Sequence, residues 1–163
     1  MPQIRHLSSA QWKIFRDIRL KSLRDTPNAF GSTIEKEKIY TGGDWKKRLE
    51  RNDCRTLGAF SKGSKPIGII VGAPYDNQAG LFAMWIDPSQ RKQGIGGLLV
   101  DAVIQWAEEQ NFHEIRLDVA DDNHPAIALY QSKGFVKSGI VGSLPTPREH
   151  IKEHQRVLTI KKR

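Results

Sequence analysis

The segment Arg91-Lys92-Gln93-Gly94-Ile95-Gly96-Gly97 combines two cations with three glycines where an apolar run, Leu81 to Ile86, gives way to a helical repeat. That combination suits an anion. The first N–H groups of a helix have no partner inside it and carry partial positive charge. Glycine at Gly94, Gly96 and Gly97 removes side chains that would keep an anion from the backbone, and Arg91 and Lys92 add charge. Two familiar phosphate patterns are excluded by spacing. There is no G-x-x-x-x-G-K-[ST], and G-x-G-x-x-G fails because Leu99 stands where its third glycine belongs. By itself the segment reads equally as a phosphate cradle or as a glycine-rich turn with no ligand.

A second constellation separates these readings. Asn123-His124-Pro125-Ala126-Ile127-Ala128-Leu129-Tyr130-Gln131-Ser132-Lys133-Gly134-Phe135 begins about thirty residues after Arg91. The succession R-x-x-G-x-G, then N-x-x-A-x-x-L-Y-x-x-x-G-F, resembles the GCN5-related N-acetyltransferase (GNAT) superfamily over residues 81–135, and Leu23 to Ser32 is similar to a bacterial branch of it. The resemblance implies acetyl-CoA as acyl donor and no metal. The donor's pyrophosphate would lie on Arg91, Lys92, Gln93, Gly94, Ile95, Gly96 and Gly97, and its pantetheine arm along Met84, Trp85 and Ile86. Asn123 matches a position that contacts that arm, with Ala126 beside it in the same motif. Tyr130 matches the residue that borders the donor and protonates the departing thiolate as general acid.

The implied reaction is direct attack of a primary amine, on a small molecule, a peptide or a protein N-terminus, within a ternary complex. Such an amine has a pKa near ~10.4 and must lose a proton first, which a carboxylate can take. The resemblance points to Asp118, five residues before Asn123 and twelve before Tyr130. In the branch of ribosomal-protein N-terminal acetyltransferases a Glu has that spacing, one methylene longer. The other reading of Asp118 is a hydrogen-bonding residue at a strand end. Tyr130 could likewise be a core aromatic beside Ile127 and Leu129, and Trp85 could line the cleft or fill the core. A rival function is a protein of this fold that binds CoA without catalysis, or a basic partner of nucleic acid.

The elements that must position these groups are legible in the pattern. Ser8-Ser9-Ala10-Gln11 resembles a capping box. Trp12, Phe15, Ile18, Arg19 and Leu23 then keep helical spacing, with Arg19 the one polar member, up to Asp25-Thr26-Pro27. A helical stretch near Thr33 to Asn52 is broken by Gly42-Gly43, a pair that suggests mobility. Strands are expected at Pro2 to Leu7, Arg55 to Phe60, Pro66 to Ala73, Leu81 to Ile86, Ile115 to Val119, Phe135 to Leu144 and Arg156 to Ile160. Ile95, Leu98, Leu99, Ala102, Val103, Trp106 and Ala107 mark an amphipathic helix, and Pro125 to Lys133 a further one. The order predicts a mixed α/β sheet with one crossover, between the fourth and fifth strands. With the resemblance it predicts a single domain over residues 1–163. Its mostly antiparallel sheet of six or seven strands would be splayed between strands 4 and 5 and flanked by about four helices.

Composition sets the outer bounds. The 163 residues carry a net charge of +8, which favours anionic partners. Nucleic-acid binding finds no support beyond that charge, since no helix-turn-helix, zinc-finger or stacking motif is present. There is no apolar run of membrane length, and the first residues lack the apolar core of a signal peptide, so a cytoplasmic, membrane-free protein is expected. The single Cys54 fits a reducing compartment and has no patterned His partner. His150-Ile151-Lys152-Glu153-His154 matches a metalloprotease spelling by chance, in a loop after Pro145 and Pro147. Lys46-Lys47-Arg48 and Lys161-Lys162-Arg163 read as solvated charge, and a homodimer is expected only by analogy with the family.

Overall fold

Alternating apolar side chains build the strands and helical spacing builds the layers that cover them. In the computed structural model, which describes residues 1–160, the first half of the chain forms β1 (Gln3–His6), α1 (Trp12–Asp25), α2 (Ile34–Glu37), α3 (Gly42–Glu50), β2 (Arg55–Phe60), β3 (Pro66–Tyr75) and β4 (Gln78–Ile86). The second half forms α4 (Ile95–Glu109), β5 (Glu114–Ala120), α5 (His124–Ser132), β6 (Val136–Ser143) and β7 (Lys152–Thr159). The basic end Lys161-Lys162-Arg163 lies outside the described residues.

The strands make one sheet in the order β1-β2-β3-β4-β5-β7-β6, and its pairs are antiparallel except β4–β5. The crossover through α4 makes β4 and β5 parallel, and they pair only at Ala79↔Ile115 and Gly80↔Arg116. Beyond Gly80 the two strands part and the sheet opens. β4 also bulges. Ile69 faces Trp85 and Val71 faces Phe82, so Ala83 and Met84 together oppose Ile70. Ala83 takes a φ of 59°, uncommon for a residue with a Cβ, at the point where the strand must bend away from its neighbour.

Each face of the sheet has its own core. Leu99, Val103 and Trp106 of α4, with Ala126 and Tyr130 of α5, pack on Leu57, Ile70, Leu81 and Leu117. On the other face Phe15, Ile18 and Leu23 of α1 and Trp45 of α3 pack on Leu7, Phe60, Ile69 and Trp85. Ile69 and Ile70 therefore serve opposite cores, as the two-residue period of a strand requires.

Three boundaries differ from the sequence reading. Gly42-Gly43 opens α3 instead of breaking a helix. Thr41 Oγ1 accepts from the Asp44 N–H at 3.2 Å while Asp44 accepts from the Thr41 N–H at 2.8 Å, and this reciprocal cap offsets the low helix propensity of glycine. A Cβ on Gly42 would stand 3.1 Å from the Trp12 ring, so Gly42 serves packing here. β4 begins at Gln78, because β3 runs to Tyr75 and the hairpin turn needs only Asp76-Asn77. β7 begins at Lys152, four residues earlier than Arg156, since the polar Lys-Glu-His-Gln stretch pairs with β5. Among the described residues no helix is long and apolar enough to cross a membrane.

Candidate active site

Two cavities adjoin where β4 leaves β5. One, of about 410 Å³, runs from the end of β4 to the start of α4. The other, of about 560 Å³, extends over β3 and β4 between α1 and the strands β5 and β7. Ala29, Met84, Asn123 and Ala126 line both, so the bulged segment of β4 and the start of α5 form their common wall.

The smaller cavity has the features of an anion site at its far end. Gly94 caps α4 with φ 81° and a hypothetical Cβ there meets nothing within 4 Å, so the approach to the first N–H groups of the helix is open. Gly96 has a different role: a Cβ would come within 2.8 Å of Leu129 Cδ2, so its absence lets α4 and α5 pack closely beside Met84. No acidic residue occupies the first turn of α4. Arg91 is not a free cation. Its Nε donates to the Ile86 carbonyl at 3.0 Å and its Nη2 to Asp25 at 2.7 Å, and the same Asp25 oxygen accepts from Trp85 Nε1 at 3.0 Å. Arg91 thus braces the turn against the end of α1, and Trp85 points into the core on the α1 side. Asp87 adds a second brace, accepting from Lys21 at 2.6 Å and from the Ser89 N–H at 3.0 Å; the Lys21 hydrogen bond outweighs burial and holds its carboxyl down at about 2.

Met84, Trp85, Ile86, Arg91, Lys92, Gly94, Ile95, Gly96, Gly97, Asn123 and Ala126 all border the smaller cavity, whereas Gln93 borders neither. Asn123 caps α5, its side chain accepting from the Ala126 N–H at 3.4 Å. Tyr130 borders the larger cavity. The residue is 5% exposed and its ring meets Phe135 edge-on at 5.8 Å, and burial pushes the phenol above its ordinary range.

The larger cavity gathers carboxylates on one wall. Asp118 on β5 accepts from the Tyr75 hydroxyl at 3.0 and 3.1 Å, and that hydroxyl in turn accepts from Gln155 at 2.8 Å. Glu153 on β7 lines the same wall. It pairs across from Ala120, two residues along from Asp118, which puts both acids on one face of the sheet. Burial raises the Glu153 carboxyl and the charge of Asp118 raises it further, with Arg148 opposing. The sequence reading missed Glu153 because it left residues 152–155 in a loop. Strand alternation through Glu153 and Gln155 was the available signal.

The opposite wall is cationic. Glu37, 2% exposed, accepts from Arg19 Nε at 3.1 Å, Arg19 Nη2 at 3.0 Å and Arg48 Nη1 at 2.8 Å. Burial would raise this carboxyl, but hydrogen bonds and charge from Arg19, with Ser32 and Arg48, hold it at about 2. Arg19 is the polar member of the α1 stripe, and Arg48 lies over the rings of Phe15 and Trp45, so it is not simply solvated charge. Cys54 also borders this cavity. Burial raises its thiol to about 11, which keeps it protonated and poorly nucleophilic.

A sequence profile of the Acetyltransferase (GNAT) family matches residues 12–135. Among curated proteins, human N-acetyltransferase 8 is 37% identical over 96 residues, which is 55% of this chain and 41% of that protein. The chain thus spans less than half the length of this relative. Curated relatives of this chain include proteins from human, mouse and rat, and the resemblance to a bacterial branch is not borne out. Among solved structures, a GNAT-family acetyltransferase from Streptococcus pneumoniae superimposes with a TM-score of 0.82 at 21% identity, covering 99% of this chain and 100% of that one. A spermidine N-acetyltransferase from Vibrio cholerae, in complex with CoA and spermine, gives 0.78 at 16% identity over 97% of this chain and 95% of that one. At those identities the structures show the fold, while the profile spans most of the chain: the protein belongs to the GNAT family of acetyltransferases.

Proposed function

We propose that the protein transfers an acetyl group from acetyl-CoA to a primary amine by direct attack. The observation that carries this is the pair of adjoining cavities at the β4–β5 opening, one ending on the bare N-terminus of α4, the other holding Tyr130 and two carboxylates. Acetyl-CoA supplies the activated acyl group. Gly94 and the first N–H groups of α4 would hold its pyrophosphate, Met84 to Ile86 its pantetheine arm, and Asn123 the entrance between the cavities. The bulge at Ala83 leaves β4 backbone without a regular partner, so an N–H there can donate to the oxyanion that forms on attack. Tyr130, kept protonated by burial, supplies the proton to the leaving sulfur.

Glu153 takes the proton from the amine in this reading, and Asp118 assists by its charge. A carboxyl raised toward neutrality is the better base. The sign of the coupling gives a discriminating prediction. Asp118 raises Glu153, so Asp118→Asn should move the acidic limb of kcat/KM to lower pH while preserving it. Glu153→Gln should remove that limb and lower kcat/KM by about 10²-fold or more. If Asp118→Asn is the variant that abolishes the limb, the two roles are reversed. The reading as a whole is tested by screening amines with acetyl-CoA and following thiol release, with the N-acetyl product identified by mass spectrometry. Saturable acetyl-CoA binding with no product from any amine class would support the alternative of a CoA-binding protein without catalysis.

A further inference from the structure

Arg19 carries an unused donor. Its side chain is 7% exposed, and Nε and Nη2 are both committed to Glu37, yet the buried Nη1 has no hydrogen-bond partner. Ser32 repeats the pattern: its buried Oγ has no partner within hydrogen-bond geometry. Both residues line the larger cavity, on the wall formed by α1 and the segment before α2. A buried polar group without a partner is costly and uncommon. The local charge is also uncompensated, because two guanidinium groups, Arg19 and Arg48, share the single carboxylate of Glu37. An anion entering this end of the cavity would accept from Arg19 Nη1 and Ser32 Oγ and balance the remaining positive charge.

We infer that the amine acceptor carries a carboxylate, held by Arg19 and Ser32, several bonds from the amine. This rests on the transferase reading above, since the opposite wall, with Asp118 and Glu153, is where the amine is deprotonated. The cavity is lined from Thr56 on β2 through Val71 on β3 and Phe82 on β4 to Asp118 on β5. Two interstrand spacings of about 4.8 Å, with the wider opening between β4 and β5 added, put its two ends more than roughly 14 Å apart before side chains reach inward. An α-amino acid is too short to engage both walls; an ω-amino acid or a comparable amino carboxylate can. Arg148 limits the acceptor's size on one side. It donates to the carbonyls of Pro27 at 2.8 Å and Gly31 at 3.0 Å, tying the loop before β7 to the loop after α1. That tie favours a small molecule over a polypeptide chain.

The test uses the whole protein with bound CoA. Hexanoate, which has the carboxylate and no amine, is titrated by calorimetry, with inorganic phosphate as the competing anion and hexylamine as the cation. Saturable hexanoate binding is expected, weakened about tenfold or more in Arg19→Gln and in the milder Ser32→Ala, as loss of a charge-assisted hydrogen bond implies. In turnover, 6-aminohexanoate should exceed hexylamine in kcat/KM by about tenfold or more, and Ser32→Ala should narrow the gap. Equal turnover of the two amines, or no hexanoate binding to protein that still binds CoA, overturns the inference and leaves the transferase reading intact. Tighter binding of phosphate than of hexanoate overturns the choice of carboxylate. Hexanoate binding with no transfer to any amine overturns the transferase reading instead, and with it the placement of the amine.

Discussion

Replacing Tyr130 by Phe should lower kcat about 10²–10⁴-fold while acetyl-CoA affinity stays within twofold of the parent protein. The ring sits in the core and packs edge-on against Phe135, and Phe preserves that packing. Only the hydroxyl, at the border of the larger cavity, is lost. The pH profile adds a second readout. Burial pushes the Tyr130 phenol above its ordinary range, so the parent protein should keep its proton source through the alkaline range in which exposed tyrosines ionise, near pH ~10. A rate that fell at that pH in the parent and not in Tyr130→Phe would show the phenol ionising normally. Turnover of Tyr130→Phe within threefold of the parent at every pH would remove the residue from the chemistry and leave it as core.

The second large effect is on stability. Glu37→Gln should destabilise the fold by roughly 3–5 kcal/mol, read as a lower urea midpoint at pH 7, because it leaves Arg19 buried beside Arg48 with no counter-charge. The amide can still hydrogen-bond, so a loss of this size reports charge. The parent protein carries the same information in its acid unfolding. Glu37 is depressed from 4.5 to about 2, so the folded state holds its charge more tightly than the unfolded chain does. The resulting stability, on the order of 3 kcal/mol, is present above the unfolded value and is lost as pH falls from about 4.5 toward 2. Glu37→Gln should lack that part of the slope. An unchanged midpoint in the variant would mean that solvent, not Glu37, neutralises the two arginines.

What the sequence made legible was contiguous. The turn from Arg91 to Gly97 and the run from Asn123 to Phe135 each declare themselves within about a dozen residues, because helix capping and close packing are local requirements. The capping box at Ser8 and Gln11 and the crossover between β4 and β5 followed from local pattern too. What stayed hidden was long-range. The α1 stripe flagged Arg19 as out of place, but nothing nearby named Glu37, 18 residues on, as its partner. Asp25, 66 residues away, was likewise invisible as the brace of Arg91. The bulge at Ala83 has no glycine to announce it. Glu153 was masked by the prolines before it, although alternation with Gln155 continued the strand. Pairing between distant carboxylates and guanidinium groups is decided by tertiary packing, and no local spacing encodes it.

Calorimetric titration of acetyl-CoA into the parent protein and into Gly97→Asp would test the role given to the N-terminus of α4. The substitution adds a carboxylate where a helix tolerates one well, and the new Cβ meets only the end of Lys133, at 3.4 Å, so the fold should survive. The parent should show saturable heat with one acetyl-CoA per chain. Gly97→Asp should bind at least tenfold more weakly, because the added charge repels the pyrophosphate. Heats of dilution alone from the parent protein, or equal binding by the two, would contradict the assignment of that turn to the acyl donor.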